Sequence, residues 1–137
     1  MQITRQTEYA IRTLIELAMA PFGELVATKL ISQRQNVPEV FLQKTIQILA
    51  RAGMVATQRG VQGGVRLTRY PEEITIADIL TVVEGPIAMN PCMNPGYDCD
   101  NSTICRVRHI MVRAQSAMMD ELSRQTIAEI IIDMRGE

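Results

Sequence analysis

Residues 36–67, NVPEVFLQKTIQILARAGMVATQRGVQGGVRL, decide the fold. Leu42, Ile46, Leu49 and Ala50 recur at helical spacing and predict one buried stripe. Asn36 and Glu39 precede it at the separation of a cap and its reciprocal acid, and Gly53 follows where a helix end favours a left-handed residue. The opposite face carries Glu39, Gln43, Lys44, Gln47 and Arg51. Met54 to Gln58 and Val65 to Leu67 are then short strand candidates around Arg59-Gly60-Val61-Gln62-Gly63-Gly64, a glycine-rich turn with Arg59 and Arg66 at its flanks. These glycines do not make a nucleotide phosphate loop. They lie between two strands, no helix follows to hold a phosphate, and neither Lys29 nor Lys44 adjoins them.

Upstream, Ala10, Leu14, Leu17 and Ala18, widened by Ile11 and Ile15, predict a helix from Thr4 to Ala20, stopped by Pro21 and Gly23. A shorter helix is expected over Leu25 to Gln33, where Val26, Leu30 and Ile31 share a face. Two short helices joined by a turn, then a basic-tipped hairpin, make a winged helix-turn-helix pattern. In that pattern the second helix suits the major groove of DNA and the wing suits phosphate or the minor groove.

Downstream, Thr75-Ile76-Ala77-Asp78 opens a short helix with a capping box that closes at Gly85-Pro86. Residues 87–102 lose all periodicity. From Thr103 to Leu122 the pattern is helical again, with Val107, Ile110, Met111, Ala114, Met118 and Leu122 along one side, and Thr126 to Glu129 is a second capping box opening a final short helix. A long amphipathic helix in so small a chain has little surface of its own to cover, so self-association is its natural use.

The chain has 137 residues, 47% hydrophobic and 21% charged, enough for one compact domain with a helical extension. No apolar run approaches the roughly 20 residues needed to span a bilayer, and the N-terminus lacks a signal-peptide pattern, so a soluble, cytoplasmic protein is expected. The net charge of −1 hides an asymmetry. Residues 1–69 carry nine Lys and Arg against four acids, a balance of +5, whereas residues 70–137 carry five Arg against eleven acids, a balance of −6. A basic half that meets an anion, joined to an acidic half with another task, fits that split.

All three cysteines, Cys92, Cys99 and Cys105, sit within 14 residues, the first two in the aperiodic segment and the third at the start of the helical pattern that follows it. Structural disulfides are disfavoured in a cytoplasmic chain, and the odd count points to a metal or redox site. The spacing is too wide for zinc-finger pairs. An iron–sulfur cluster, held mainly by thiolates, fits better and leaves one position for another ligand. His109, the single histidine, lies one helical turn beyond Cys105 and is one candidate; a carboxylate from elsewhere is the other.

Several runs together carry a resemblance: Thr7-Glu8-Tyr9-Ala10, Val37-Pro38 to Leu42, Arg59 to Leu67, Pro71-Glu72-Glu73-Ile74-Thr75, and Val83-Glu84-Gly85-Pro86-Ile87 ahead of a three-cysteine loop. They resemble the Rrf-two family of winged-helix transcription regulators, over nearly the whole chain. The resemblance implies a winged helix-turn-helix domain over 1–84, a cysteine-rich cluster loop over 85–105, and a dimerisation helix with a C-terminal tail helix over 103–137. The class is mainly α with a small β-wing. It implies a homodimer with an iron–sulfur cluster on Cys92, Cys99 and Cys105. The fourth ligand is then Glu8 of the partner subunit, as in nitric-oxide-sensing members, or His109, as in cluster-sensing members. In those members the histidine stands three residues after the third cysteine, where this chain has Arg108. The first cysteine gap is one residue longer than the common family spacing, which leaves 2Fe–2S and 4Fe–4S both open.

The same resemblance implies double-stranded DNA as partner, at a pseudo-palindromic operator. Gln43 is suited to adenine, Lys44 to guanine or phosphate, with Gln47 beside them; Arg59, Gln62 and Arg66 are the wing's contacts. A cluster-gated repressor sensing nitric oxide, redox state or iron–sulfur status is the leading expectation. The alternatives are a cluster-free regulator that senses through cysteine oxidation and, in another class, a small iron–sulfur electron-transfer protein. An enzyme is not expected, because no nucleophile, base and orienter occur as a set.

Overall fold

The computed structural model describes residues 3–89, 93 and 106–136. Its elements run α1 (Arg5–Met19), α2 (Thr28–Gln35), α3 (Glu39–Arg51), β1 (Val55–Gln58), β2 (Gly64–Leu67), a 3-10 turn at Pro71–Glu73, α4 (Ile76–Glu84), α5 (Arg106–Leu122) and α6 (Ile127–Arg135). The two strands pair antiparallel, with Val55 opposite Leu67 and Gln58 opposite Gly64. This is a winged helix-turn-helix, mainly α with a two-stranded wing. Among the described residues no helix is long and apolar enough to cross a membrane.

The predicted stripes build the core. Ala10, Leu14 and Leu17 of α1, Ile31 of α2, and Leu42, Ile46 and Leu49 of α3 are buried together with Val65 and Leu67 of β2. Arg66 lies between the two buried β2 residues and so faces outward, as strand alternation requires. Two buried hydroxyls are satisfied within their own helices: Thr13 donates to the Tyr9 carbonyl at 2.7 Å and Thr45 to the Phe41 carbonyl at 2.9 Å. The buried Glu16 carboxylate accepts from Arg34 at 3.0 Å and Gln35 at 2.7 Å, which ties α1 to the last turn of α2.

Two local expectations need correction. Asn36 does not cap α3; it ends α2 in the left-handed conformation, φ 54 and ψ 48, while Pro38 occupies the start of α3 without a side-chain cap bond. Asparagine serves either role, because its short side chain lowers the cost of that conformation. The second helix begins at Thr28 rather than Leu25. Val26 is taken by the wing instead, exchanging backbone hydrogen bonds of 2.8 and 2.9 Å with Val65. A partner nearly forty residues away thus outweighs the local helical pattern.

Both downstream capping boxes form, at Thr75 with Asp78 and at Thr126 with Glu129. The α6 helix folds back onto the N-terminal module: Ile127 and Ile131 are buried in the common core, and the Ile127 amide donates to the Ile74 carbonyl at 2.8 Å. By contrast, α5 buries none of its 17 residues. Val107 and Ile110 of its predicted apolar side are more than half exposed.

Candidate nucleic-acid interface and sensor site

A cleft of about 600 Å³ opens between α3 and the wing. Gln43, Ile46 and Gln47 line it from α3, and Thr57, Gln58, Arg59, Gly60 and Val61 from the wing. Ala27 and Thr28 complete it from the start of α2, where no side chain caps the helix. The α2 start was not among the expected contacts. Its signal, a helix start without a side-chain cap beside the wing, exists only once the wing is placed.

The wing's shape rests on its glycines. The Gly63 amide donates to the Gly60 carbonyl at 3.0 Å, closing a β-turn with Val61 and Gln62 at the tip. At Gly63 an added Cβ meets the Gln58 carbonyl oxygen at 2.1 Å, and at Gly64 one meets the Val26 carbonyl oxygen at 2.4 Å. Only glycine lets these backbones approach so closely.

Of the expected DNA contacts, Gln43, Gln47 and Arg59 meet in the cleft, and Gln62 sits at the tip. Arg66 is exposed on β2 opposite Ala56. Lys44 lies on the other flank of α3, lining a separate groove with Thr4, Arg5, Gln6, Tyr9 and Phe41. Tyr9 and Phe41 stack there with centroids 6.1 Å apart. Helix α3 therefore stands between cations on both sides, Arg59 toward the wing and Arg5 with Lys44 toward α1.

Cys92, Cys99 and Cys105 lie outside the described residues. What surrounds their segment is described. The segment leaves α4 directly after Glu84, whose carboxylate accepts from the Thr4 hydroxyl at 2.5 Å, the Thr7 hydroxyl at 2.6 Å and the Thr4 amide at 3.3 Å. These bonds fasten the end of α4 to the first turn of α1, and the Thr4 and Thr7 hydroxyls hold the Glu84 carboxyl below its ordinary value. Glu8, one turn along α1, is exposed and paired with Arg12, which also donates to the Gln35 carbonyl at 3.3 Å. His109 is exposed in the first turn of α5. Both candidate fourth ligands are thus solvent-accessible, and the carboxylate lies in the helix that packs against α3.

Replacing Glu84 with Gln is expected to destabilise the fold by about 1 kcal/mol at neutral pH, the scale of charged hydrogen bonds discounted for partial exposure. Because the folded value is lowered, this contribution is complete above about pH 4.3 and fades as pH falls through the folded value. Urea midpoints of both proteins across pH check it: the gap closes on the acid side and stays open on the neutral side.

The relatives agree with this architecture. Residues 3–133 match the family model Rrf2, described as an iron-dependent transcriptional regulator. The chain is 35% identical to the HTH-type transcriptional regulator NsrR of Bacillus licheniformis, over 97% of this chain and 94% of that one. It is 38% identical to protein aau3 of Rhizobium meliloti, over 96% of this chain and 85% of that one. Among solved structures it superposes on T. potens IscR with a TM-score of 0.77 at 27% identity, covering 98% and 88% of the two chains. It matches CymR, the global cysteine regulator of B. subtilis, with a TM-score of 0.76 at 28% identity, covering 96% of each. With the helix-turn-helix, the glycine-built wing and the full-length match in hand, the chain belongs to the Rrf2 family of transcriptional regulators.

Proposed function

We propose that this protein is a cytoplasmic, homodimeric repressor that binds a pseudo-palindromic operator and whose affinity is set by an iron–sulfur cluster on Cys92, Cys99 and Cys105, with Glu8 of the partner subunit or His109 as fourth ligand. The observation that carries the DNA half is the α3–wing cleft, which gathers Gln43, Gln47 and Arg59 at one surface. Two amides able to bond adenine edges beside a guanidinium able to bond phosphate is the donor set that duplex recognition uses. Val107 and Ile110, more than half exposed on the apolar side of α5, support the homodimer.

For the sensor half, the support is the donor chemistry and the route to α3. Three thiolates with one carboxylate or imidazole suit an iron–sulfur cluster, which supplies a centre reactive toward nitric oxide and oxidants. The cysteine segment begins at Glu84, which grips the first turn of α1 through Thr4 and Thr7, and α1 packs on α3. On this reading, a shift of that segment reaches α3 through α1. It changes operator affinity by the difference in how two dimer arrangements are stabilised.

The likeness to the cysteine regulator CymR favours a second reading, in which the same cysteines act by thiol oxidation without a cluster. Anaerobic isolation separates the two. The leading reading expects visible absorbance with stoichiometric iron and sulfide, all lost in Cys99→Ser, together with an operator affinity weaker by about 5–150-fold and no response to nitric oxide. A colourless Cys99→Ser protein that binds its operator as tightly as the wild type would refute cluster gating.

A further inference from the structure

The exposed face of α3 contains one residue that neither the polar-contact set nor the core accounts for. Val40, in the helix's first turn, is 68% exposed, although its neighbours on that face, Lys44 and Gln47, are polar and suited to water. Phe41, next along the chain, turns toward α1 and is occupied by its stack on Tyr9. Gln43 turns to the other side and lines the wing cleft. Val40 lies between these two directions and shares its face with residues four and seven positions later. That face is the one furthest from the buried stripe of Leu42, Ile46 and Leu49.

We infer that Val40 reads the 5-methyl group of a thymine in the major groove, a specificity contact that rests on the proposed seating of α3 in DNA. The N-terminal residues of a recognition helix are those that reach base edges. A valine offers two methyl groups and no donor or acceptor. Set against the adenine or cytosine amino group, or the guanine oxygen, it would strip water from a polar atom and return nothing. The thymine methyl is the one methyl group on the major-groove edges of the four bases, and it is absent from the minor groove. The β-branched side chain suits the task, because its χ1 is already fixed in a helix and little entropy is lost on contact.

The contact is tested with full-length protein and a duplex that it selects from a random pool, synthesised once with thymine and once with deoxyuracil. Uracil pairs as thymine does and lacks only the methyl. The wild type is expected to bind the uracil duplex about fourfold more weakly for each methyl contacted, the free energy of burying one such group. Val40→Ile keeps the preference. Val40→Ser, folded because the site is exposed, binds both duplexes alike while retaining the wild-type melting temperature. Equal affinity of the wild type for the two duplexes overturns the inference, as does a Val40→Ser protein that discriminates as strongly as the wild type. Failure to enrich any duplex overturns the DNA-binding reading itself, and is distinguishable from either of those results.

Discussion

Gly63→Ala lowers the stability of the protein by about 3 kcal/mol and weakens DNA binding, while Gln62→Ala, one residue away, changes stability by no more than about 0.5 kcal/mol. The new methyl carbon stands 2.1 Å from the Gln58 carbonyl oxygen and 2.8 Å from the Arg59 carbonyl carbon, and both obstacles are backbone. No rotamer change relieves such a clash. The hairpin must open, which pulls Arg59 away from α3 and breaks the turn bond from Gly63 to Gly60. Urea unfolding reads the first effect and duplex affinity the second. Gly64→Ala acts at the other contact, where the new carbon meets the Val26 carbonyl and loosens the bridge between the wing and the approach to α2. A Gly63→Ala protein with wild-type stability would mean that the wing is not held in this conformation.

Ile127→Ala costs about 3–4 kcal/mol, a large share of the 5–15 kcal/mol that holds a domain of this kind together. Ile127 is 0% exposed at the start of α6, and its amide is bonded to Ile74 beside the bridge between Thr75 and Thr126. Truncating it empties space among α1, α6 and the 3-10 turn, which cannot close without moving α1. Ile132→Ala, on the exposed side of the same helix, is the comparison and shifts stability little. Because α5 runs into α6 through a four-residue turn, the same change loosens the seat of α5. Chemical denaturation reads the loss, and an Ile127→Ala midpoint no lower than that of Ile132→Ala would refute the docking of α6.

The elements legible in the sequence are those whose cause is local. The stripe of Leu42, Ile46 and Leu49, the two capping boxes and the two short strands of the wing each depend on residues within a few positions, and each forms where the sequence predicts it. The start of α2 departs from its local pattern because Val26 pairs with Val65, and Asn36 ends α2 rather than capping α3 because one side chain suits two neighbouring helix ends. Lys44 follows Gln43 in the chain yet lines a different groove, since consecutive helical residues point about 100° apart. The grip of Thr4 and Thr7 on Glu84 joins residues some eighty positions apart and left no mark in composition or period.

By itself, then, the sequence determined the winged helix-turn-helix, the polar face of its second helix, the basic tip of its wing and the long apolar-sided helix, because periodicity and capping are short-range effects. Tertiary structure alone decided which apolar helix joins the core. Ile127 and Ile131 of α6 carry the same signature as Val107 and Ile110 of α5, yet the first pair is buried and the second is left in solvent. An amphipathic stripe states that a face must be covered, and only the packing of the whole chain states by what.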